Sequence, residues 1–393
     1  MIRQRPVELL APARNVECAM AAVDHGADAV YIGASRFGAR ASAGNSVEDI
    51  ARVVEYAHTF RVKVYVTVNT ILKDEELPET EKLVWALYRA GVDALIVQDM
   101  ALMELDLPPI PLHASTQMDN RTPEKVKFLH GLGFSQVVLA RELSLAEIQA
   151  VHAACDVPLE VFVHGALCVS YSGQCYVSQH CFGRSANRGE CAQFCRLKFD
   201  MVDSDGRMIE QGRHLLSLKD MNRGADLERL LDAGVTSLKI EGRLKDVAYV
   251  KNVTAWYRSR LDEIFKRRPE YRRASSGQIS LAFTPCLEKS FNRGFTRYFL
   301  DGRTPDIFSF HTPKSLGEEV GTVKEVRGKC IIVSGVKPFA NGDGLCFLDE
   351  QGNLQGFRVN RVEANKIYPA EMPRVRPHAR LYSNFDKAFE DVL

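Results

Sequence analysis

The sequence predicts an α/β chain: a parallel (β/α)8 TIM-like barrel with a cysteine-rich loop, followed by a small all-β barrel domain. Three observations carry this. Over the first two-thirds of the chain, short apolar runs alternate with amphipathic stretches, which is a β/α rhythm. One junction recurs four times, at His25–Tyr31, Ala90–Ile96, Leu132–Val138 and Ala233–Lys239; each is a helix ending at glycine, then one apolar residue, one polar residue and a strand. Beyond about residue 310 the pattern changes to short runs separated by turns such as Asn341–Gly344 and Asp349–Gly352.

The strands expected for the barrel, in order, are Val7–Leu10, Ala29–Ile32, Lys63–Val68, Ala94–Val97, Leu112–Ala114, Gln136–Leu139, Leu159–Val163, Leu215–Ser217 and Ser237–Ile240. Each is short and apolar, as for strands buried on both faces of a parallel sheet. Nine candidates for eight places leave one outside the barrel. Between them lie helix signals. Ser46 stands before Asp49 and an apolar row Ile50, Val53, Val54 and Ala57; Ser144 and Glu147 form a capping box; Thr122 precedes a first-turn Pro123. The repeated glycine supplies a left-handed helix C-cap. A helix from Val247 to Phe265 closes the barrel at 1–265, a basic linker or extension occupies 266–310, and the β barrel fills 311–393. Its strands are expected at Gly321–Val326, Cys330–Val333, Gly344–Leu348 and Phe357–Val362.

Length and charge agree with this division. The 393 residues exceed one average domain and suit a barrel plus a smaller unit. The formal net charge of +1 gives no global basic field, so nucleic-acid binding would rest on a local patch. No apolar run approaches the roughly 18 residues of a membrane span, and the run Met1–Val7 carries no apolar leader core. The expectation is a cytoplasmic chain with no membrane partner. In a reducing compartment cysteines serve metals or catalysis rather than disulfides.

Five of the ten cysteines fall within 28 residues, in the order Cys168-x6-Cys175-x5-Cys181-x9-Cys191-x3-Cys195, just after the strand Leu159–Val163. Barrel active sites gather on loops after strand C-termini. Four thiolates satisfy either tetrahedral zinc or an iron–sulfur cluster. No Cys-x2-Cys pair repeats, so a cluster held by a long loop suits the spacing better than a zinc ribbon. Cys18, Cys155, Cys286, Cys330 and Cys346 are scattered and read as packing residues. Arg184 and Arg188 within the loop are forks for carboxylate or phosphate.

Other polar residues stand at strand ends: Asn69, Gln98, Asp99, His113, Gln117, Arg141, Glu160, His164, Lys239, Glu241 and Arg243. Glu160, His164, Lys239 and Glu241 are the candidate catalytic groups. Asn69, His113 and Arg243, with Arg184 and Arg188, are candidate substrate contacts. Alternation sends Lys239, Glu241 and Arg243 to one face, aimed at the barrel mouth. The Gly-x-Ser-x-Gly elbow and the His-Glu-x-x-His zinc motif are missing, which removes two hydrolytic classes; a Cys168–His164 pair would be a thiol-protease alternative. Aromatic and basic residues interleave from Trp256 and Arg258 to Phe295 and Arg297, a mixture that binds phosphate and stacks bases.

The blocks Glu160–Cys168 and Tyr171–Cys175 resemble the signature of the collagenase-like peptidases, family 32 of the peptidases of unknown catalytic type. Arg184–Arg196, Leu216–Asp220, Lys239–Arg243 and Phe291–Phe295 are similar to further blocks of the same family. The resemblance implies an iron–sulfur cluster, most simply 4Fe–4S, with zinc as the alternative metal. It also implies oxygen-independent hydroxylation of rRNA or tRNA nucleosides, linked to prephenate. The arginine-rich block looks closest to the 23S rRNA cytidine hydroxylases, which are longer than this chain. Two other readings remain: a collagenase-like peptidase, and a zinc-stapled RNA-binding module without catalysis. The resemblance assigns Cys168, Cys175 and Cys191 as cluster ligands. Many members carry a further cysteine where this chain has Asn222, so Cys195 is the candidate fourth ligand and Cys181 the reserve.

Overall fold

The structure is a computed structural model that describes residues 4–38, 44–335 and 337–393; Met1–Arg3 of the N-terminal run lie outside the described residues. Eight parallel strands of a twelve-stranded sheet form the first barrel: β1 (Arg5–Ala13), β2 (Ala29–Ala34), β3 (Lys63–Val68), β4 (Ala94–Val97), β5 (Leu112–Ala114), β6 (Gln136–Val138), β7 (Leu159–Ala166) and β8 (Val235–Ile240). Neighbours in sequence are neighbours in the sheet, and β8 pairs with both β7 and β1, so the barrel closes. The surplus strand is Leu215–Ser217, which is no strand and lies outside this barrel.

The helices sit where the capping signals put them. Ser46 accepts from the Asp49 amide at the start of α1 (Val47–Thr59), whose Ile50, Val53, Val54 and Ala57 are buried. Thr122 caps α2 (Pro123–Gly131), and the Ser144–Glu147 box opens α3 (Leu145–Ala154). The four junction glycines, Gly26, Gly91, Gly133 and Gly234, have φ of +97°, +83°, +102° and +95°. An L side chain resists that region, which is why glycine recurs there. Between β4 and β5 the crossover shrinks to one 3-10 turn, Met100–Met103.

The long helix after β8, Val247–Arg267, runs past residue 265 and buries Tyr257 and Arg258 completely. Tyr257 and Arg258 are therefore withdrawn from the aromatic and basic mixture expected to face RNA, whereas Arg260, Lys266, Arg267 and Arg272 are exposed. Arg258 pairs with Asp28 at 3.1 Å and Asp262 at 2.8 Å, and Arg273 reaches Asp28 at 3.0 Å. Arg268 pairs with Asp232 at 2.8 Å and Glu270 at 2.6 Å, and Arg297 holds Asp226. These cations are consumed inside the fold because each has an acidic partner brought to it by chain closure.

A second unit is an antiparallel six-stranded closed barrel: β9 (Glu318–Arg327), β10 (Cys330–Ser334), β11 (Gly344–Leu348), β12 (Leu354–Glu363), β13 (Lys366–Pro369) and β14 (Arg380–Phe385), in the order β9-β10-β13-β12-β11-β14. Val323, Ile331, Val333, Leu345, Phe347, Val359, Ile367 and Leu381 make its core. The division of the chain differs from the one expected from composition. Residues 1–194, 221–280 and 297–306 form one compact unit, and 195–220, 281–296 and 307–393 the other. Among the described residues no helix is long and apolar enough to cross a membrane.

Candidate active site

At the C-terminal ends of the barrel strands lies a small cavity of about 70 Å³. Tyr31, Thr67, Ile96, Phe162 and Lys239 come from the strands; Asn69, Ser115, Thr116, Gln117, Arg141, Glu241 and Arg243 come from the loops that follow them. The strand alternation therefore does aim Lys239, Glu241 and Arg243 at the mouth. Lys239 Nζ donates to Glu160 Oε1 at 2.6 Å and lies 4.5 Å from the Tyr31 ring and 5.4 Å from the Phe162 ring. Burial pulls its pKa below the usual lysine value, against the opposing pull of Glu160. Arg243 donates to Thr67 Oγ1 at 2.6 Å, and Asn69 donates to Ser115 Oγ at 3.2 Å. Arg141 stacks on Phe162 at 3.8 Å, and its buried Nε has no hydrogen-bond partner among the described residues. Three cations over one small polar hollow make a receptor for a compact anion.

The remaining strand-end candidates lie outside this lining. Glu160 is fully buried beneath it, held by Lys239, Gln136 and Ser237. His113 packs edge-on against Tyr65 with ring centroids 4.7 Å apart, and its Nδ1 lacks a hydrogen-bond partner among the described residues. Burial, with help from Lys239 and Lys63, pushes its pKa down to about 3. His164 sits with Nδ1 3.3 Å from the Tyr257 hydroxyl, and burial pushes it down to about 3 as well. Both imidazoles are neutral around pH 7. Asn222 Oδ1 accepts from the Gly224 amide at 3.0 Å and from Tyr257 Oη at 3.4 Å.

The cysteine loop leaves the end of β7 and is tied to the barrel at several points. Glu142 accepts from the Ser172 amide and hydroxyl, both at 2.9 Å. Gly173 comes so close to Gln117 that a Cβ would stand 2.1 Å from its carbonyl oxygen, so only glycine fits there. Arg121 stacks on Tyr171 at 4.1 Å. The Asn187 carbonyl accepts from the Ile71 amide at 3.1 Å. Arg188 closes its fork on Glu76 at 2.7 and 2.9 Å and donates to the Ile71 carbonyl at 2.7 Å, and these bonds bring Glu76 down to about 2. Arg184 is exposed.

Cys168, Cys181 and Cys191 are exposed, Cys175 and Cys195 half-buried. The Gln193 amide points at Cys191 Sγ at 3.4 Å. Cys195 falls in the second unit by the division above. The donor chemistry suits a soft metal. Among the described residues, however, no three His, Cys, Asp or Glu side chains converge as a ligand set. As placed, the thiols do not form a cluster site. Of the scattered cysteines, Cys18, Cys155, Cys330 and Cys346 are buried and Cys286 is half-buried.

Several cavity residues escaped the sequence reading. Tyr31 and Thr67 are lost in apolar runs, and Ser115 and Thr116 follow a three-residue strand. Counting inward positions from each strand end would have found Tyr31 and Thr67.

Comparison with known proteins adds identity. The family model described as Peptidase family U32 matches residues 14–308. A 23S rRNA 5-hydroxycytidine C2501 synthase of Escherichia coli (strain K12) is 51% identical over 396 residues, covering 98% of this chain and 60% of that protein. A tRNA hydroxylation protein P1 of Bacillus subtilis (strain 168) is 36% identical, covering 82% of this chain and 78% of its own length. A protein named collagenase from Porphyromonas gingivalis is 32% identical over 98% of this chain and 99% of its own length. The chain thus spans well under two-thirds of the rRNA synthase's length but nearly all of the collagenase's. With three-quarters of its residues under the family model, and with such relatives, the chain belongs to peptidase family U32.

Proposed function

We propose that this chain hydroxylates an RNA nucleoside, with rRNA cytidine the favoured target and tRNA the next. The observation that carries the reading is the cationic mouth cavity of a chain 51% identical to an rRNA hydroxycytidine synthase. Arg243 and Arg141 hold an anionic group there, either a carboxylate of a small co-substrate such as prephenate or an RNA phosphate. Lys239 adds a third positive charge and a transferable proton. Tyr31 and Phe162 keep water from its flank, which strengthens each of these contacts. Cys168, Cys175 and Cys191 of the loop do not converge as a ligand set in this structure, and we propose that binding an iron–sulfur cluster draws them together, with zinc as the alternative metal. Such a cluster would supply electron transfer when bound.

Nucleoside mass spectrometry of rRNA and tRNA from cells lacking the gene tests this. Loss of one hydroxylated nucleoside, restored by the wild-type chain and not by Arg243→Ala, is expected. Unchanged nucleosides overturn the reading. Iron and sulfide content of anaerobically purified protein, wild type against Cys191→Ala, tests the cluster separately. Colourless wild type after reconstitution would remove it.

The match to a protein named collagenase over nearly its whole length supports a second reading, peptide cleavage. Gelatin cleavage that persists through purification and falls in Cys168→Ala would favour it.

A further inference from the structure

Beneath the cavity floor the barrel holds ionisable groups that the reaction, as described so far, leaves unused. Glu8 on β1 is buried, and Tyr65 on β3 donates to its Oε2 at 2.6 Å. Ser237 on β8 places its Oγ 2.8 Å from Glu8 Oε1 and 3.3 Å from Glu160 Oε2. Glu160 on β7 also accepts from Gln136 Nε2 at 2.7 Å and from Lys239 Nζ at 2.6 Å.

Counting hydrogens decides the protonation. A serine hydroxyl has one hydrogen, so between two carboxylate oxygens it can donate to only one. The other carboxyl must donate to the serine or face its lone pairs bare, and a bare contact is unfavourable in a buried site. Glu160 already has an ammonium and an amide donating to its oxygens. Among the described residues, the hydrogen-bond partners of Glu8 are a phenol and a hydroxyl, so it is the one that carries the proton. Burial, with the Glu160 charge behind it, pushes Glu8 up to about 7, while Tyr65, Ser237 and, most weakly, Lys63 oppose the shift. The neighbouring His113, packed on Tyr65, is neutral and brings no charge.

We propose that Glu8 is held as a neutral carboxylic acid and that Glu8, Ser237 and Glu160 form a proton wire ending on Lys239, which makes Lys239 a general acid resupplied from inside the barrel. The proposal rests on the cavity being the reaction site. Lys239 gives a proton to an oxygen of the bound anion and becomes an amine. Glu8 passes its proton to Ser237 Oγ, Ser237 passes its own to Glu160 Oε2, and rotation of the protonated Glu160 carboxyl presents that proton to Lys239 Nζ, which lies against Oε1. The ligand gains a proton, Glu8 ends as carboxylate, and no electrons move. Solvent reprotonates Glu8 after the ligand leaves. A lysine whose pKa is drawn toward neutrality is suited to this role.

Infrared difference spectroscopy of the full chain, titrated from about pH 5 to about pH 9 across the carboxyl range, reads the acid directly. The expected result is one carboxylic-acid C=O band that persists above the ordinary glutamate range, fades as pH rises through about 7, and is missing in Glu8→Gln. A wild type without that band, or a band surviving in Glu8→Gln, overturns the proposal. Should Glu8→Gln fail to fold, Ser237→Ala gives a second reading. Removing the acceptor of the Glu8 proton moves the band to higher frequency, and an unmoved band sinks the wire. These readouts need neither RNA nor metal, so their failure and the failure of the RNA reading are told apart.

Discussion

A carboxyl buried without a cation works against folding at neutral pH, and Glu8 makes that cost measurable. Its folded value of about 7 stands above the ordinary 4.5. The sign follows from proton counts: between those values the folded chain binds more protons than the unfolded one, so stability falls as pH rises. The contribution is complete below about 4.5 and is lost as pH passes about 7. Glu8→Gln should therefore flatten the pH dependence of urea unfolding in that window, with a difference on the order of 3 kcal/mol across it. Lys239 makes the opposite case. Lys239→Met leaves Glu160 charged, buried and without its ammonium, which should cost roughly 3–5 kcal/mol. The double variant Lys239→Met with Glu160→Gln should recover most of that stability and none of the RNA hydroxylation. Denaturant melts beside nucleoside mass spectrometry separate the two effects.

At the scale of elements, the glycine junctions and caps were legible because each is a local rule with a fixed residue type. Gly234 shows how strict the rule is: at φ +95° a Cβ would also stand 2.2 Å from the His152 ring. Gly234→Ala should lower stability by about 1–2 kcal/mol from backbone strain alone, with the clash adding to it, as a thermal melt would show. The misread strand Leu215–Ser217 has the apolar look of its neighbours, and nothing local marks it as a turn. The missed β13 and β14 fail for the reverse reason: Lys366–Pro369 contains a proline and Arg380–Phe385 is largely polar, so only partner strands reveal them. The site was half legible in the same way. Strand-end position pointed to Asn69, Lys239, Glu241 and Arg243, whereas Glu8, Tyr65 and Ser237 face an interior that exists only once the barrel closes. Arg188 lies between these cases, visible as a fork but not as the staple it forms with Glu76. Arg188→Ala should speed proteolytic nicking within 167–194 while leaving the barrel's thermal midpoint nearly unchanged. In the wild type the same protection should weaken as pH falls below the usual carboxylate range toward 2, where Glu76 gains its proton.

For the whole molecule, the two compact units do not follow one another along the chain. The second takes residues 195–220 and 281–296 as well as 307–393. Composition could not reveal this, because those short segments carry no β signature of their own. A chain cut after residue 310 should be poorly soluble and show lost near-ultraviolet dichroism, since 195–220 and 281–296 would be left without the rest of their unit. A soluble, fully ordered fragment would contradict the division. The interleaving also has a consequence for biosynthesis. The hairpin of Phe199–Val202 and Met208–Arg213, with Met201, Val202, Met208 and Ile209 exposed, emerges from the ribosome before β8 does. The last strand of its unit is complete only when Phe385 has been added, 165 residues after Asp220. At about 5–20 residues per second that wait is roughly 8–33 s, a window in which holdase chaperones compete with aggregation for a nascent chain whose barrel can already have closed.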